Sequence, residues 1–170
     1  QCHPFYTGKK VLIDTVADIA VFGEGEITLV EICEGGKPIS EIKGLIYRNE
    51  KGEIMENQPQ NYIEDLDSLP FPDYSLFEIE RYLCYPEKHI PIVTSRGCPY
   101  QCTYCSVRLS MGMQFRTRSP EGVAEEFEQL YKEGWISFEI HDDNFTLNID
   151  RAAKICEALI KRDLNITWKI

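Results

Sequence analysis

The sequence predicts an α/β fold whose central sheet is parallel. Two observations carry this prediction: from residue 90 onward short strand patterns alternate with amphipathic helix patterns, and the links between them are short. A strand, helix, strand, helix, strand order with short links predicts parallel strands, which right-handed crossovers join. The 170 residues are enough for one compact domain or for parts of two, but fewer than the roughly 250 residues of a complete eight-stranded barrel.

The sequence of the first half of the chain predicts a few short secondary-structure elements and a connector. Residues 19–22 have the pattern of an apolar strand, and a helix is expected at residues 27–33. Residues 44–57 have the pattern of a hairpin with a glycine-containing turn. Residues 64–75 are acidic and contain two prolines, which predicts an extended connector and a domain boundary in this region.

The second half contains the elements of the predicted parallel sheet. Ser119 is expected to cap a helix that Gly134 ends, because the apolar residues between them recur at helical spacing. The remaining expected elements are strands at residues 90–94, 136–140 and 166–170 and a helix at about residues 150–162. In such sheets the chemistry lies beyond the carboxyl ends of the strands. A cysteine loop follows the first strand and an Asp-Asp-Asn loop follows the second.

Composition and charge narrow the classes of function. Hydrophobic residues make up 43% and charged residues 27%, which is typical of a globular protein. No run approaches ~18 apolar residues, and the start lacks the pattern of a signal peptide, so we expect no membrane span and a cytoplasmic location. The net charge of -10 argues against a nucleic-acid partner. The seven cysteines are expected to be reduced thiols.

Three cysteines within eight residues form the most informative pattern. Cys98, Cys102 and Cys105 are separated by three and then by two residues. This spacing lets one loop give three thiolates to three irons of a 4Fe-4S cluster. The fourth iron would have no protein ligand within the motif, and an open metal position is what a reactive site needs.

Two other metal sites match part of this pattern. A structural zinc site needs four ligands in a tetrahedron, and a ferredoxin-like cluster needs a fourth cysteine at matched spacing. The candidates for a fourth zinc ligand are Cys84, His89, His141 and Cys156. None belongs to a second Cys-x-x-Cys pair, and the position of Cys156 on an apolar helical stripe is typical of a core cysteine. The open iron-sulfur cluster is therefore favoured, with a zinc-binding structural module as the alternative.

Residues 97–106, Gly-Cys-Pro-Tyr-Gln-Cys-Thr-Tyr-Cys-Ser, resemble the Cys-x-x-x-Cys-x-aromatic-Cys signature of the radical S-adenosylmethionine (SAM) superfamily. Residues 115–121 resemble the segment that joins this loop to the first helix in cobalamin-associated members, and residues 142–146 resemble their motif after the second strand. The resemblance implies that residues 89–170 form the N-terminal half of a partial, TIM-like (β/α) radical SAM barrel.

The resemblance also implies an activity. The amino and carboxylate groups of SAM would bind the open iron, and an electron from the cluster would cleave SAM to a 5'-deoxyadenosyl radical. Such an enzyme uses a reducing partner such as a flavodoxin or ferredoxin. The expected outcome is methylation or cyclisation of a small-molecule or lipid substrate.

Cofactor-binding residues are implied by the same resemblance. Asp142, Asp143 and Asn144 would hold the methionyl amino group, with a charge-assisted hydrogen bond from the ammonium to a carboxylate. Tyr104 would offer backbone contacts to the adenine, and Arg118, together with Arg116, would face the SAM carboxylate or the cluster. Adjacent acidic residues also occur as solvated loop caps, and exposed arginines are common, so these assignments have ordinary structural alternatives.

The front of the chain resembles the end of the cobalamin-binding domain that precedes the radical SAM domain in one subgroup. The matching residues are His3-Pro4 and a strand that continues into Gly-Glu-Gly-Glu at residues 23–26. The expected domains are the C-terminal end of a Rossmann-like cobalamin-binding domain at residues 1–36, a hairpin and linker at residues 37–88, and the radical SAM core at residues 89–170. Because the chain starts without Met, we expect a piece of a longer parent enzyme, which would hold the cobalamin.

A radical SAM methylthiotransferase acting on transfer RNA shares the cysteine motif and is a further alternative. Its usual companion domain is not recognisable in the sequence, and the acidic charge gives it no support.

Overall fold

A computed structural model describes residues 8–78, 81 and 89–170. The chain forms two compact units, each made of two separate stretches of sequence. Unit 1 comprises Gln1–Glu64 and Pro99–Met113, and unit 2 comprises Asp65–Cys98 and Gln114–Ile170. These units divide the residues differently from the domain ranges expected from the sequence, and those ranges remain predictions.

Unit 1 contains a three-stranded antiparallel sheet with short helices. Its elements are α1 (Lys10–Asp14), β1 (Ile19–Val21), α2 (Glu26–Glu34), β2 (Leu45–Arg48), β3 (Ile54–Glu56) and α3 (Val107–Ser110). The strand order is β1-β2-β3, so the expected front strand and the expected hairpin share one sheet. Among the described residues this sheet is antiparallel throughout, and the Rossmann-like remnant remains a prediction.

The hairpin between β2 and β3 forms where the turn pattern predicts it. The Asn49 side chain accepts hydrogen bonds from the backbone N–H groups of Lys51 and Glu53, at 3.0 and 2.9 Å, which closes the turn. Gly52 has a φ of 79°, a left-handed conformation that glycine adopts without steric cost. Local turn chemistry therefore sets the register of this hairpin.

Unit 2 contains the parallel sheet. Its elements are β4 (Ile90–Ile92), β5 (Ser95–Arg96), β6 (Arg116–Thr117), α4 (Pro120–Lys132), β7 (Ser137–Ile140), α5 (Ile149–Lys161) and β8 (Thr167–Lys169). Strands β4, β7 and β8 are parallel in that order, and β5 and β6 form a separate antiparallel pair. The predicted α/β fold with a parallel sheet is thus confirmed, whereas the partial barrel remains a prediction.

Both crossover helices begin at side-chain caps. The Ser119 hydroxyl accepts the backbone N–H of Gly122 at 3.0 Å at the start of α4, and Pro120 occupies the first turn. The Asn148 side chain accepts the backbone N–H of Arg151 at 3.0 Å at the start of α5. These caps pair backbone donors that have no partner inside the helix.

One apolar core joins the two helices to the parallel sheet. Phe127 of α4 is fully buried, and its ring centroid lies 4.7 Å from that of Phe138 on β7. Trp168 of β8 packs edge-on against Phe127 and Phe145. Burying a phenylalanine side chain contributes about 1.5–3 kcal/mol, so these aromatic residues are major contributors to the stability of unit 2.

The predicted connector contains two single-turn 3-10 helices, Leu66–Ser68 and Tyr74–Leu76, rather than being extended throughout. The Asp67 carboxylate accepts the backbone N–H of Ser119 at 2.8 Å, and the Tyr74 hydroxyl donates to the carbonyl oxygen of Pro91 at 2.8 Å. This segment therefore packs within unit 2. None of the helices in the described part of the chain has the length and apolar character needed to cross a membrane.

Candidate functional site

The three cysteines of the motif carry free thiols. Cys102 is exposed, while Cys98 and Cys105 are partly exposed, and none of them forms a disulfide. The backbone N–H of Cys105 donates to the carbonyl oxygen of Cys102 at 3.1 Å, which forms a turn between these two residues. Three free thiols on one short loop are a donor set that suits iron-sulfur clusters and zinc.

The cysteine loop starts at a glycine in a left-handed conformation. Gly97 is buried with a φ of 81°, where a side chain would strain the backbone. Its backbone N–H donates to Asp143 Oδ2 at 3.2 Å. The turn that leads into Cys98 is therefore tied to the loop after β7.

The two ends of the cysteine loop are hydrogen-bonded to each other. We use the term neck for residues 94–96 and 116–118, which flank the loop. Within the neck, Ser95 pairs with Thr117 and Arg96 pairs with Arg116 in the β5–β6 ladder. The backbone N–H of Arg118 also donates to the carbonyl oxygen of Thr94 at 3.0 Å. The neck thus holds the ends of a loop that contains all three cysteines.

Asp142 uses its whole carboxylate to bind the start of the neck. Oδ1 accepts the backbone N–H groups of Thr94 and Ser95 at 2.6 and 3.0 Å, and Oδ2 accepts their hydroxyl groups at 2.5 and 2.6 Å. Thr94 and Ser95 are buried, so each of these donors would cost about 1–3 kcal/mol if it lost its acceptor. Asp142 is therefore a structural link between β7 and the neck.

Asp143 differs from Asp142 in its contacts. Its carboxylate accepts the Gly97 backbone N–H, and the residue is exposed to solvent. Partial desolvation raises the pKa of the Asp143 carboxyl group, the Gly97 hydrogen bond lowers it, and the neighbouring Asp142 charge raises it further. Asp143 is thus a carboxylate at the carboxyl end of β7 that can still accept a ligand donor.

The Arg118 side chain forms several contacts within unit 2. It pairs with the buried Glu126 carboxylate and donates to the carbonyl oxygens of Val93 and Gly122 at 3.2 and 3.0 Å. The guanidinium carbon also lies 5.2 Å from the centre of the Phe71 ring. These contacts hold the guanidinium within unit 2, and its predicted cofactor contact remains a prediction. Arg116 is buried as well.

Arg151 is a buried residue of this region that the sequence analysis did not single out. Its Nε donates to the carbonyl oxygen of Arg118 at 3.1 Å, and its Nη2 donates to that of Thr94 at 2.6 Å. The spacing of Arg151 in the sequence could have indicated its burial. It precedes the core residues Ile155 and Ala158 by four and seven positions, so all three lie on the same face of α5. An arginine on an apolar helical stripe needs buried partners, and here they are the two ends of the neck.

Tyr104 and Asn144, the other predicted cofactor contacts, have different surroundings. The Tyr104 residue is 91% exposed, within the cysteine loop. Asn144 is partly exposed and immediately precedes a 3-10 helix, Phe145–Leu147, at the carboxyl end of β7. Their roles toward a cofactor remain predictions.

The alternative zinc ligands can be located in part. His89 Nδ1 lies 2.6 Å from the Ser137 hydroxyl, and His141 Nε2 lies 3.4 Å from Glu139 Oε2. Cys156 is partly buried on α5, and Cys84 lies outside the described residues, as does the His3-Pro4 segment. Within the described ranges, no three His, Cys, Asp or Glu side chains are grouped to hold a metal ion.

One family model and several individual proteins match this chain. The family model described as the Radical SAM superfamily matches residues 92–170. An uncharacterised methyltransferase of Pyrococcus horikoshii is 36% identical over 155 residues, covering 89% of this chain and 34% of the relative. The anaerobic magnesium-protoporphyrin IX monomethyl ester cyclase of Rubrivivax gelatinosus is 33% identical over 162 residues, covering 90% of this chain and 29% of the cyclase. The chain thus spans about a third of the length of these curated relatives.

Solved structures show the same fold. The cobalamin-dependent SAM radical enzyme OxsB, with aqua-cobalamin and SAM bound, matches with a TM-score of 0.77 and 24% identity, covering 97% of this chain and 24% of OxsB. The radical SAM methyltransferase TsrM from Kitasatospora setae, with tryptophan substrate and a SAM analogue bound, matches with a TM-score of 0.64 and 22% identity, covering 85% of this chain and 29% of TsrM. At these identities the likeness concerns the fold.

Proposed function

Residues 92–170 belong to the radical SAM superfamily, and from this premise we propose that the chain binds a 4Fe-4S cluster and SAM and cleaves SAM reductively. The single observation that carries the proposal is the set of three free thiols, Cys98, Cys102 and Cys105, in the family's spacing within the matched region. Three thiolates satisfy three irons of a cubane, which leaves the fourth iron to SAM.

The bound cluster would supply the electron that breaks a carbon-sulfur bond of SAM, and this chemistry belongs to the cofactor. The contribution of the chain is to provide thiolates and to orient SAM. A reducing partner such as a flavodoxin or ferredoxin would deliver the electron. A cytoplasmic location is part of the same proposal, because the thiols have to remain reduced.

Asp143 is the residue that we propose for the SAM amino group. Its neighbour Asp142 already accepts four hydrogen bonds from Thr94 and Ser95, whereas Asp143 accepts one from Gly97 and remains exposed. An ammonium group would form a charge-assisted hydrogen bond with the Asp143 carboxylate. Asn144 and Tyr104 are proposed as further contacts, and no SAM contact is assigned to Arg118.

The proposed overall reaction is methylation or cyclisation of a small-molecule or lipid substrate. The relatives' names support this range, since they include an uncharacterised methyltransferase, a porphyrin ester cyclase and the hopanoid C-3 methylase of Methylococcus capsulatus. Cobalamin is proposed for the parent enzyme. We assign no residue of this chain to it, because the segment whose resemblance implies it includes His3 and Pro4, outside the described residues.

Anaerobic reconstitution with iron and sulfide tests the proposal. The chain should take up a cluster, seen as broad absorption at the blue end of the visible spectrum, and form 5'-deoxyadenosine from SAM when reduced. The Cys102→Ala variant should lose both the cluster and this product. Cys33→Ala is the matched control, since Cys33 is an exposed thiol outside the motif and its removal should change neither.

Metal analysis of anaerobically isolated protein separates the proposal from its main rival. A stoichiometric zinc content without iron would support a structural zinc module instead. Deoxyadenosine formation by the Cys102→Ala variant would also contradict the assignment.

A further inference from the structure

The neck of the cysteine loop is held from outside by two charged side chains. Asp142 binds Thr94 and Ser95 from the end of β7, and Arg151 binds Thr94 and Arg118 from the first turn of α5. The carbonyl oxygen of Thr94 accepts both Arg151 Nη2 and the Arg118 backbone N–H, at 2.6 and 3.0 Å. Arg151 therefore bridges the strand that enters the loop and the strand that leaves it.

The two charges also depend on each other. Arg151 is only 7% exposed, and in the described part of the chain its Nη1 has no hydrogen-bond partner. Desolvation lowers the pKa of Arg151, whereas the Asp142 charge raises it. A buried guanidinium is costly to desolvate without a nearby negative charge, and Asp142 provides one.

The residues next to this network are the ones that would bind ligands. Gly97 and Cys98 follow the neck directly, and Asp143 follows Asp142 directly. The Gly97 N–H to Asp143 hydrogen bond connects the two sides. A shift of the neck would thus displace a cluster ligand and the proposed SAM ligand together.

We propose that Asp142 and Arg151 are positioning residues that hold the neck in one geometry and thereby align Cys98 with Asp143 for SAM binding. This inference rests on the proposed function but makes a separate claim. Outer-shell partners of metal ligands typically contribute about 10- to 100-fold to affinity or activity. Disrupting the network should therefore weaken SAM binding by about this factor while the three cysteines remain in place.

The chain offers variants that separate charge from hydrogen bonding. In Asp142→Asn, the amide oxygen can keep both backbone N–H bonds, so the charge and the acceptor of the two hydroxyl groups are lost while the shape and the backbone hydrogen bonds are retained. Arg151→Met removes both carbonyl contacts, and Arg151→Lys keeps the charge without the planar fork. Arg162→Met is the matched control, because Arg162 caps the same helix and its contacts are to Glu128 and Ala158.

The first measurement is the electron paramagnetic resonance spectrum of the reduced cluster in the full chain, titrated with SAM. We expect the SAM-induced spectral change to need about 10- to 100-fold more SAM in Arg151→Met, with iron content unchanged. Arg151→Lys should recover part of this loss. Asp142→Asn should lie between the wild type and Arg151→Met, and Arg162→Met should behave like the wild type.

The second measurement needs no cluster. Amide hydrogen exchange in the metal-free chain should be faster at Gly97 and Arg118 in Arg151→Met than in Arg162→Met, because their N–H groups belong to the network. Unchanged exchange at both amides would overturn the proposal. It would also be overturned by an unaltered SAM titration in Arg151→Met with only a lower melting temperature. A wild-type chain that takes up no iron would contradict the proposed function instead.

Discussion

Asp142 and Asp143 are adjacent and chemically identical, yet their surroundings differ. Asp142 is saturated by donors from Thr94 and Ser95, so it has no capacity left for a ligand. Asp143 accepts a hydrogen bond from Gly97 and is exposed. The sequence predicts that one of this pair contacts SAM, and the hydrogen bonds favour Asp143.

The Asp143→Asn variant should bind SAM more weakly in the reconstituted chain. A hydrogen bond to a charged group contributes about 1.5–3 kcal/mol, which corresponds to about 10- to 100-fold in affinity. Equilibrium SAM titration measures this change. Asp163→Asn is a suitable control, because Asp163 is exposed with a φ of 50°, a conformation that asparagine tolerates. Equal affinity of the two variants would argue against Asp143 as a ligand.

Glu126 should make the stability of unit 2 depend on pH. Desolvation raises its pKa above the ordinary 4.5, although Arg118 opposes the shift. A raised pKa means that the folded state favours the protonated form, so the free energy of unfolding should fall as pH rises from below 4.5 through the raised value.

The Glu126→Gln variant should lack this dependence. Urea denaturation at a series of pH values, for the variant and the wild type, measures the difference between the two free energies of unfolding. Parallel pH profiles for the two proteins would show that Glu126 does not titrate in this range.

Residues such as Asp142 and Arg118 show where sequence reasoning reaches its limit. Their place near the cysteine loop follows from the strand pattern, because the carboxyl ends of parallel strands share one edge of the sheet. The direction of each side chain and the identity of its partner do not follow, since those partners lie up to 48 residues away for Asp142. Arg151 carries a local signal, an arginine on an apolar stripe, but only the fold shows what it binds.

At the scale of elements, the helices are the best-predicted features. Helix α4 begins after Ser119 and helix α5 begins after Asn148, and both have a strong apolar stripe. The β5–β6 pair was not predicted, because two-residue strands have no periodicity and their partners are separated by 20 residues or more. The neck could therefore be identified only from the structure.

The Ser119→Ala variant should destabilise α4 through loss of its cap. The Ser119 hydroxyl accepts the Gly122 N–H, and loss of such a cap costs about 1 kcal/mol. Chemical denaturation followed by tryptophan fluorescence measures this cost. The Ser119→Asn variant, which retains a capping oxygen, should stay close to the wild type, and equal losses in both variants would exclude the cap as the cause.

At the scale of the whole chain, the sequence order and the spatial units do not coincide. Unit 2 includes residues 65–98 and 114–170, so the chain leaves this unit for residues 99–113 and then returns. Prediction from sequence divides the chain into consecutive segments. It therefore predicts the parallel sheet, but it does not predict that each unit consists of two separate stretches of sequence. Only long-range contacts, such as Ser119 with Asp67, assign the connector to unit 2.

Phe127→Ala should lower the free energy of unfolding of unit 2 by about 3–5 kcal/mol, because it removes a fully buried ring. Tryptophan fluorescence monitors this unit selectively, since the two tryptophans of the chain, Trp135 and Trp168, both belong to it. Ile160→Ala is the control, as Ile160 lies on α5 and is 76% exposed. Comparable losses in the two variants would show that the aromatic core contributes little.

The tie between Asp142 and the neck has a consequence for biosynthesis. A nascent chain presents Cys98, Cys102 and Cys105 before residue 142 has left the ribosome, and at that moment nothing holds the start of the loop. The hydrogen bonds between Asp142 and Thr94, which are 48 residues apart, can form only after β7 has been synthesised. Iron delivered before that point would meet thiols on a loop whose start is not yet held, so the proposed metal centre would assemble only after β7 has been synthesised.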